Sequence, residues 1–132
     1  MKSLLAVILL VCSSPVFLAT SCEHKKCPEN TICTEMFAMV TVKVIDQLGN
    51  SVHFDEVYTI RKSNNETIRI TQSMDGMLIV LDDSYQSKLK QDKDTFHIVG
   101  IKNGQKVLDE PYMISADCCH VSKVSGREEI KL

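Results

Sequence analysis

From Phe37 onward, apolar and polar residues alternate with a period of two. In Phe37 to Asp46, Ala38, Val40, Val42 and Val44 fall on one side and Thr41 and Lys43 on the other. Alternation in β-branched residues predicts a half-buried strand. Gln47 to Asn50 then reads as a turn. Ser51 to Lys62 alternates again, with Val52, Phe54, Tyr58 and Ile60 expected on one face and Glu56 breaking the row. Ser63 to Asn65 turns the chain, and Thr67 to Gln72 returns with Ile68 and Ile70 inward. After a turn over Ser73 to Gly76, with Asp75-Gly76 its strongest element, Met77 to Leu81 is apolar on both faces, the pattern of a central strand.

The alternation stops between Asp82 and Asp94, where Ser84 to Gln91 offers one or two helical turns with a poor apolar face. It resumes at Thr95 to Lys102. Asn103-Gly104 follows, the strongest hairpin signal in the chain, because both central positions of a type I′ turn need positive φ. Gln105 to Asp109 returns, and Pro111 predicts an edge or a bulge before Tyr112 to Ser115. Cys118 to Val124 and Glu128 to Leu132 close the series around Ser125-Gly126. About seven or eight short strands, with no helix-period stripe and no repeat, predict an all-β sandwich over residues 36–132, immunoglobulin-like or transthyretin-like in type.

The N-terminus carries a different pattern. Lys2 precedes the apolar run Leu4 to Val11, and the small residues Ala19, Thr20 and Ser21 lead into Cys22. Charge, apolar core and small-residue site, in that order, define a secretory signal over residues 1–21, too short to be read as a membrane span. A cysteine directly after the site points further, to a lipoprotein signal in which Cys22 takes up lipid and becomes the mature N-terminus. Residues 22–35, in which Glu23 to Asn30 is polar and contains Pro28, are then a lipidated tether.

Cysteine parity supports that reading. Of six cysteines, Cys12 leaves with the signal and five remain: Cys22, Cys27, Cys33, Cys118 and Cys119. An odd number is awkward in an oxidising compartment. Lipid on Cys22 leaves four, enough for two disulfides. Neighbouring cysteines rarely bond each other, so the 27/33 pair is expected to join the 118/119 pair, in either of two arrangements. The alternatives are a soluble secreted protein with one free thiol, or a metal or redox protein in which these thiols act with His120 or His24. The cysteine spacing fits no zinc pattern, and no Cys-x-x-Cys is present.

Charge excludes one class of partner. The chain carries a formal net charge of −2, and loss of Lys2 makes the mature form more acidic, whereas nucleic-acid binding needs a dense basic patch. Asp82, Asp83, Ser84, Asp92 and Asp94 could gather calcium, but they lack the regular spacing and glycine of a known loop, so a solvated acidic loop is expected. Asn65-Glu66-Thr67 is a glycosylation sequon, relevant only in a eukaryotic host. Met36, Met39, Met74, Met77 and Met113 are expected to fill core or edge positions. His120 beside Cys119 is expected to be a strand histidine meeting a backbone group or water. No nucleophile elbow, phosphate loop or paired-carboxylate signature is present, so the sequence nominates no catalytic residue, metal ligand or cofactor.

The segment Val40-Thr41-Val42-Lys43-Val44-Ile45-Asp46, followed by Leu48-Gly49-Asn50-Ser51-Val52, resembles the opening of carboxypeptidase-regulatory-like (transthyretin-like) domains. Those are immunoglobulin-type sandwiches common in Bacteroidota lipoproteins. The ending Ala116-Asp117-Cys118-Cys119-His120-Val121, with Ser125-Gly126, resembles small lipoproteins of the same phylum. The resemblance implies a non-catalytic module of the cell envelope, in the outer membrane or periplasm. It would be held to the membrane by its N-terminal lipid and would serve a protein or glycan partner.

Overall fold

A computed structural model describes residues 26–70, 73–74, 76–89 and 91–132. The signal region and Cys22 lie outside the described residues. The chain forms β1 (Met39–Ile45), β2 (Glu56–Arg61), β3 (Glu66–Ile68), β4 (Ser73–Met74) and β5 (Met77–Asp82). A single 3-10 turn (Asp83–Tyr85) and a one-turn helix α1 (Gln86–Leu89) follow. The second half is β6 (Lys93–Lys102), β7 (Gln105–Ala116), β8 (Val121–Ser125) and β9 (Glu129–Lys131).

These strands make two layers, a four-stranded sheet in the order β4-β5-β1-β9 and a five-stranded sheet in the order β3-β2-β6-β7-β8. All neighbours are antiparallel except β1 and β9, which run parallel from Lys43↔Glu129 to Ile45↔Lys131. The architecture is an all-β sandwich. Its core lies between the sheets, where Val42, Val44, Val80 and Leu81 meet Phe96, Ile98, Tyr112 and Ile114. Tyr85 and Leu89, from the short helical insertion, close one side, and Tyr85 packs edge-on against Phe96.

Strand β1 follows the alternation of its sequence: Val40, Val42 and Val44 are buried. Strand β5 sits inside its sheet, between β4 and β1, as its two-sided apolarity requires, and β4 is formed by Ser73–Met74, the first half of the expected turn, pairing back on β5. Asn103 (φ 52) and Gly104 (φ 73) form the turn between β6 and β7.

Strand β2 departs from expectation. Val52 and Phe54 pack against the core as partly buried residues, but the chain bends at Asp55 and the inward face passes to Val57 and Thr59. The expected inward row through Tyr58 and Ile60 is therefore displaced by one residue. Thr59 is buried, and its hydroxyl donates to the Val80 carbonyl at 2.8 Å, a bond between the two layers. Satisfying its oxygen in this way lets a threonine take a core position.

Strand β7 joins the two expected segments into one strand through Pro111, which lies at an edge as expected. Its pairing with β8 covers only Met113 to Ala116, so Pro111 lies where one side of β7 is unpaired among the described residues. The missing N–H costs least there. The chain then crosses from β8 in one sheet to β9 in the other. Gly126 (φ 134) passes directly over the Tyr112 ring, and the Tyr112 hydroxyl donates to the Arg127 carbonyl at 2.7 Å.

Candidate functional site

The two ends of the sequence meet at one end of the sandwich. Cys118 and Cys119, expected at the start of a strand, instead occupy the tight turn between β7 and β8. Asp117 builds that turn: its Oδ1 accepts from the backbone N–H of Cys119 and of His120, each at 2.7 Å, and its own N–H donates to the His120 carbonyl at 3.0 Å. These two donations hold the Asp117 carboxyl below its ordinary range. Adjacent residues in a turn escape the strict alternation of a strand, so both cysteines reach the lead before β1. Cys27 bonds Cys118 and Cys33 bonds Cys119, with Cα separations of 5.6 and 5.3 Å.

The lead itself contributes no core. Every residue from Lys26 to Phe37 is exposed, and the first buried residue described is Val40. Three large apolar side chains stand out on it: Ile32 is 94% exposed, Met36 77% and Phe37 58%. Met36 therefore does not fill a core or edge position, and Met39 and Met77 are also exposed. Apart from the disulfides, Thr34 and Ala38 fasten this region.

Asp83 is the centre of that fastening. Its Oδ2 accepts from the Ala38 N–H at 2.7 Å and from His120 Nδ1 at 2.7 Å, and its Oδ1 accepts from the Val121 N–H at 2.8 Å. Burial pushes its carboxyl up, but the donations from Ala38, His120 and Val121 together outweigh that and hold it below the usual carboxylate range. On the other side of the imidazole, His120 Nε2 lies 2.9 Å from Thr34 Oγ1. His120 thus bridges a carboxylate and a hydroxyl, where a backbone group or water was expected. Sequence distance concealed the partner, since Asp83 and His120 are 37 residues apart.

Carboxylate, imidazole and hydroxyl in a line is the order of a nucleophilic relay. Here each member also belongs to a different segment: the helical insertion, the β7–β8 turn and the lead. As a unit they clasp the lead to the domain beside the Cys33–Cys119 bond.

The other acidic residues are dispersed. Asp82 caps the 3-10 turn, accepting from the Ser84 N–H at 2.9 Å. Asp94 pairs with Arg61 at 2.5 Å and accepts from Ser63, so its carboxyl lies below its ordinary value although burial opposes this. Asp92 accepts from the Lys93 N–H. The expected solvated loop is instead a set of caps and ion pairs. Among the described residues no group of three or more His, Cys, Asp or Glu could hold a metal ion.

A second polar cluster lies beside the insertion. The Tyr85 hydroxyl donates to Glu66 Oε2 at 2.5 Å, Lys88 Nζ donates to Glu66 Oε1 at 3.1 Å, and Lys88 and Arg61 both approach the Tyr85 ring. The donations from Tyr85, Lys88 and Asn64 lower the Glu66 carboxyl to about 2. On the outward side of the five-stranded sheet, His97 Nδ1 and Lys106 Nζ both contact Asp109, at 2.7 and 2.6 Å. Asn65 of the sequon is exposed in the turn between β2 and β3.

Compared with protein-family models, curated proteins and solved structures, the chain finds no match. Two disulfides suit an oxidising, extracytoplasmic setting. Among the described residues no helix is long and apolar enough to cross a membrane.

Proposed function

We propose that this protein is a non-catalytic accessory module of the cell envelope, anchored by lipid on Cys22, that presents its sandwich to a protein or glycan partner. The observation that carries the reading is the pairing of Cys27 and Cys33 with Cys118 and Cys119, which, once the signal is removed, leaves Cys22 as the one cysteine outside those two bonds. A lipid on that sulfur completes the cysteine inventory for an exported chain. Two or three acyl chains anchor firmly where a single chain holds only marginally. The edge of β7 from Gln105 to Pro111, unpaired among the described residues, offers backbone groups to a partner strand.

Mass spectrometry of the mature N-terminus from the native host tests this. The expected species begins at a diacylglyceryl-modified Cys22 and disappears in Cys22→Ala. An unmodified Cys22 overturns the anchor. A pull-down that recovers no envelope protein or glycan, alongside turnover of a substrate, overturns the non-catalytic role.

The order Asp83–His120–Thr34 favours one other reading, a secreted hydrolase with Thr34 as nucleophile. Hydrolysis of p-nitrophenyl acetate that is lost in both Thr34→Val and His120→Gln would favour it. A rate equal to the buffer rate leaves the three residues as a clasp.

A further inference from the structure

We propose that the disulfide-held lead lies in the surface of the bilayer, with Ile32, Met36 and Phe37 seated among the lipid headgroups. The proposal rests on the reading of Cys22 as the anchored residue and names the surface on which the anchored module sits.

Three observations converge on it. Of the eight large apolar residues exposed on the described chain, four fall between Ile32 and Met39, whereas Leu48, Met77, Val107 and Val124 are spread over the rest of the domain. Single exposed apolar residues need no explanation, but four within eight consecutive positions give one short segment the apolar side chains that an interaction surface uses.

The second observation is how that group is held. The lead buries nothing, yet two covalent bonds pin it to the end of the sandwich. Once Cys33 is bonded to Cys119, the Cys27–Cys118 bond closes a small ring between an exposed segment and a turn. A ring of that size is equally constrained in folded and unfolded chains, so the bond positions the lead and contributes little to folding. Display of Ile32, Met36 and Phe37 on a fixed frame is what it achieves.

The third is reach. Cys27 follows Cys22 by five residues. Fully extended, five residues span at most about 17 Å, so an anchor at Cys22 brings the lead to the headgroup layer without any further contact. Apolar side chains delivered there gain by leaving water, as in other interfacial segments.

The test uses the mature chain from Cys22 to Leu132 and does not require native lipidation. With the other four cysteines in disulfides, Cys22 couples selectively to vesicles of phosphatidylethanolamine and phosphatidylglycerol that contain a maleimide-bearing lipid. The chain has no tryptophan, so Phe37→Trp supplies a single reporter. Leu48→Trp is the control, 88% exposed beyond the far end of β1. On coupled vesicles the Phe37→Trp emission should shift to the blue and lose most of its intensity to brominated acyl chains, while Leu48→Trp keeps a solvent-like, unquenched spectrum. Adding Ile32→Ser and Met36→Ser should reverse the shift while leaving the unfolding curve in place.

A solvent-like, unquenched Phe37→Trp on coupled vesicles overturns the proposal, whatever the native host does at Cys22. Equal quenching of both reporters also overturns it, because the whole domain would then lie on the membrane. Quenching of Phe37→Trp alone, with native material found unlipidated, supports the bilayer contact and overturns the anchor reading instead.

Discussion

Either disulfide should be removable almost without cost, whereas loss of both should cost about 2 kcal/mol. In the chain-entropy account, tying Cys33 to Cys119 across a separation of 86 residues costs the unfolded chain about 4.6 kcal/mol. That value would be the stabilisation if the folded protein held both cysteines in place without the bond. Cys119 is held, in a turn built by Asp117. Cys33 is held only loosely, because the chain is exposed from Lys26 to Phe37, the contact of its neighbour Thr34 with His120 is itself exposed, and the first buried residue described is Val40.

Bonding Cys33 therefore also restrains the folded protein, over a segment of roughly seven residues, at about 2.4 kcal/mol. The difference, about 2 kcal/mol, is what the bond adds to folding stability. Cys27–Cys118 then closes the same small ring in both states and adds close to zero. Acting alone, it would still supply about 1.7 kcal/mol, since its free segment before Val40 is longer.

Urea unfolding of Cys27→Ser/Cys118→Ser, Cys33→Ser/Cys119→Ser and the quadruple variant, all with Cys22→Ser, measures this directly. Each pair variant should stay within about 0.5 kcal/mol of the parent, and the quadruple variant should lose about 2 kcal/mol, roughly 10 °C in Tm. A loss of 2 kcal/mol in Cys27→Ser/Cys118→Ser alone would refute the reasoning, because it would mean that the contacts of the lead at Thr34 and Ala38 already fix it in the folded protein as firmly as the Cys33–Cys119 bond does.

Three further outcomes follow from particular contacts. In Gly126→Ala a Cβ would lie 2.2 Å from the buried Tyr112 ring at a φ of 134, so Tm should fall by an amount equal to about 3 kcal/mol. Gly104→Ala, with nothing within 4 Å, should cost only about 1 kcal/mol of left-handed strain. Equal losses in the two would refute the steric account. Asp83→Ala removes the acceptor of two backbone N–H groups and of His120, and thermal unfolding should register about 3 kcal/mol. A change under about 0.5 kcal/mol would show that the clasp is idle. The Glu66 carboxyl lies at about 2 in the folded chain against an ordinary 4.5, so its contribution is complete above pH 4.5 and is lost as pH falls toward 2. The urea midpoint should drop across that window and drop less in Glu66→Gln; a midpoint constant from pH 5 to 3 would contradict the assignment.

Local chemistry made much of the fold legible. The β1 alternation, the Asn103-Gly104 turn and the two-sided apolarity of Met77 to Leu81 each follow from one segment's own needs, and each stands in the structure as its residues require. Strand β2 misled because its phase is set by a bend at Asp55 and by the Thr59–Val80 bond between layers. A period-two pattern has no means of registering either. Pro111 calls for an edge or a bulge, and the short reach of β8 supplies that edge, although a single strand does not reveal how far its neighbour extends or that β7 runs on through the proline.

The clasp was hidden for the same reason at longer range. Asp83 read as one acid in a polar loop and His120 as a strand residue, because the 3-10 turn and the β7–β8 turn that bring them together are set by Asp82 and Asp117, residues that look like ordinary surface acids in sequence. The four cysteines were the exception, since covalent chemistry limits their partners without reference to the fold. They also tie the two questions together. The bonds that complete the sandwich end on a segment that buries none of its own side chains, so their purpose lies in where that segment is held, directly after the residue proposed to carry the anchor. If the lead proves dispensable both for stability and for contact with lipid, two disulfides would be spent on a segment with no physical work to do.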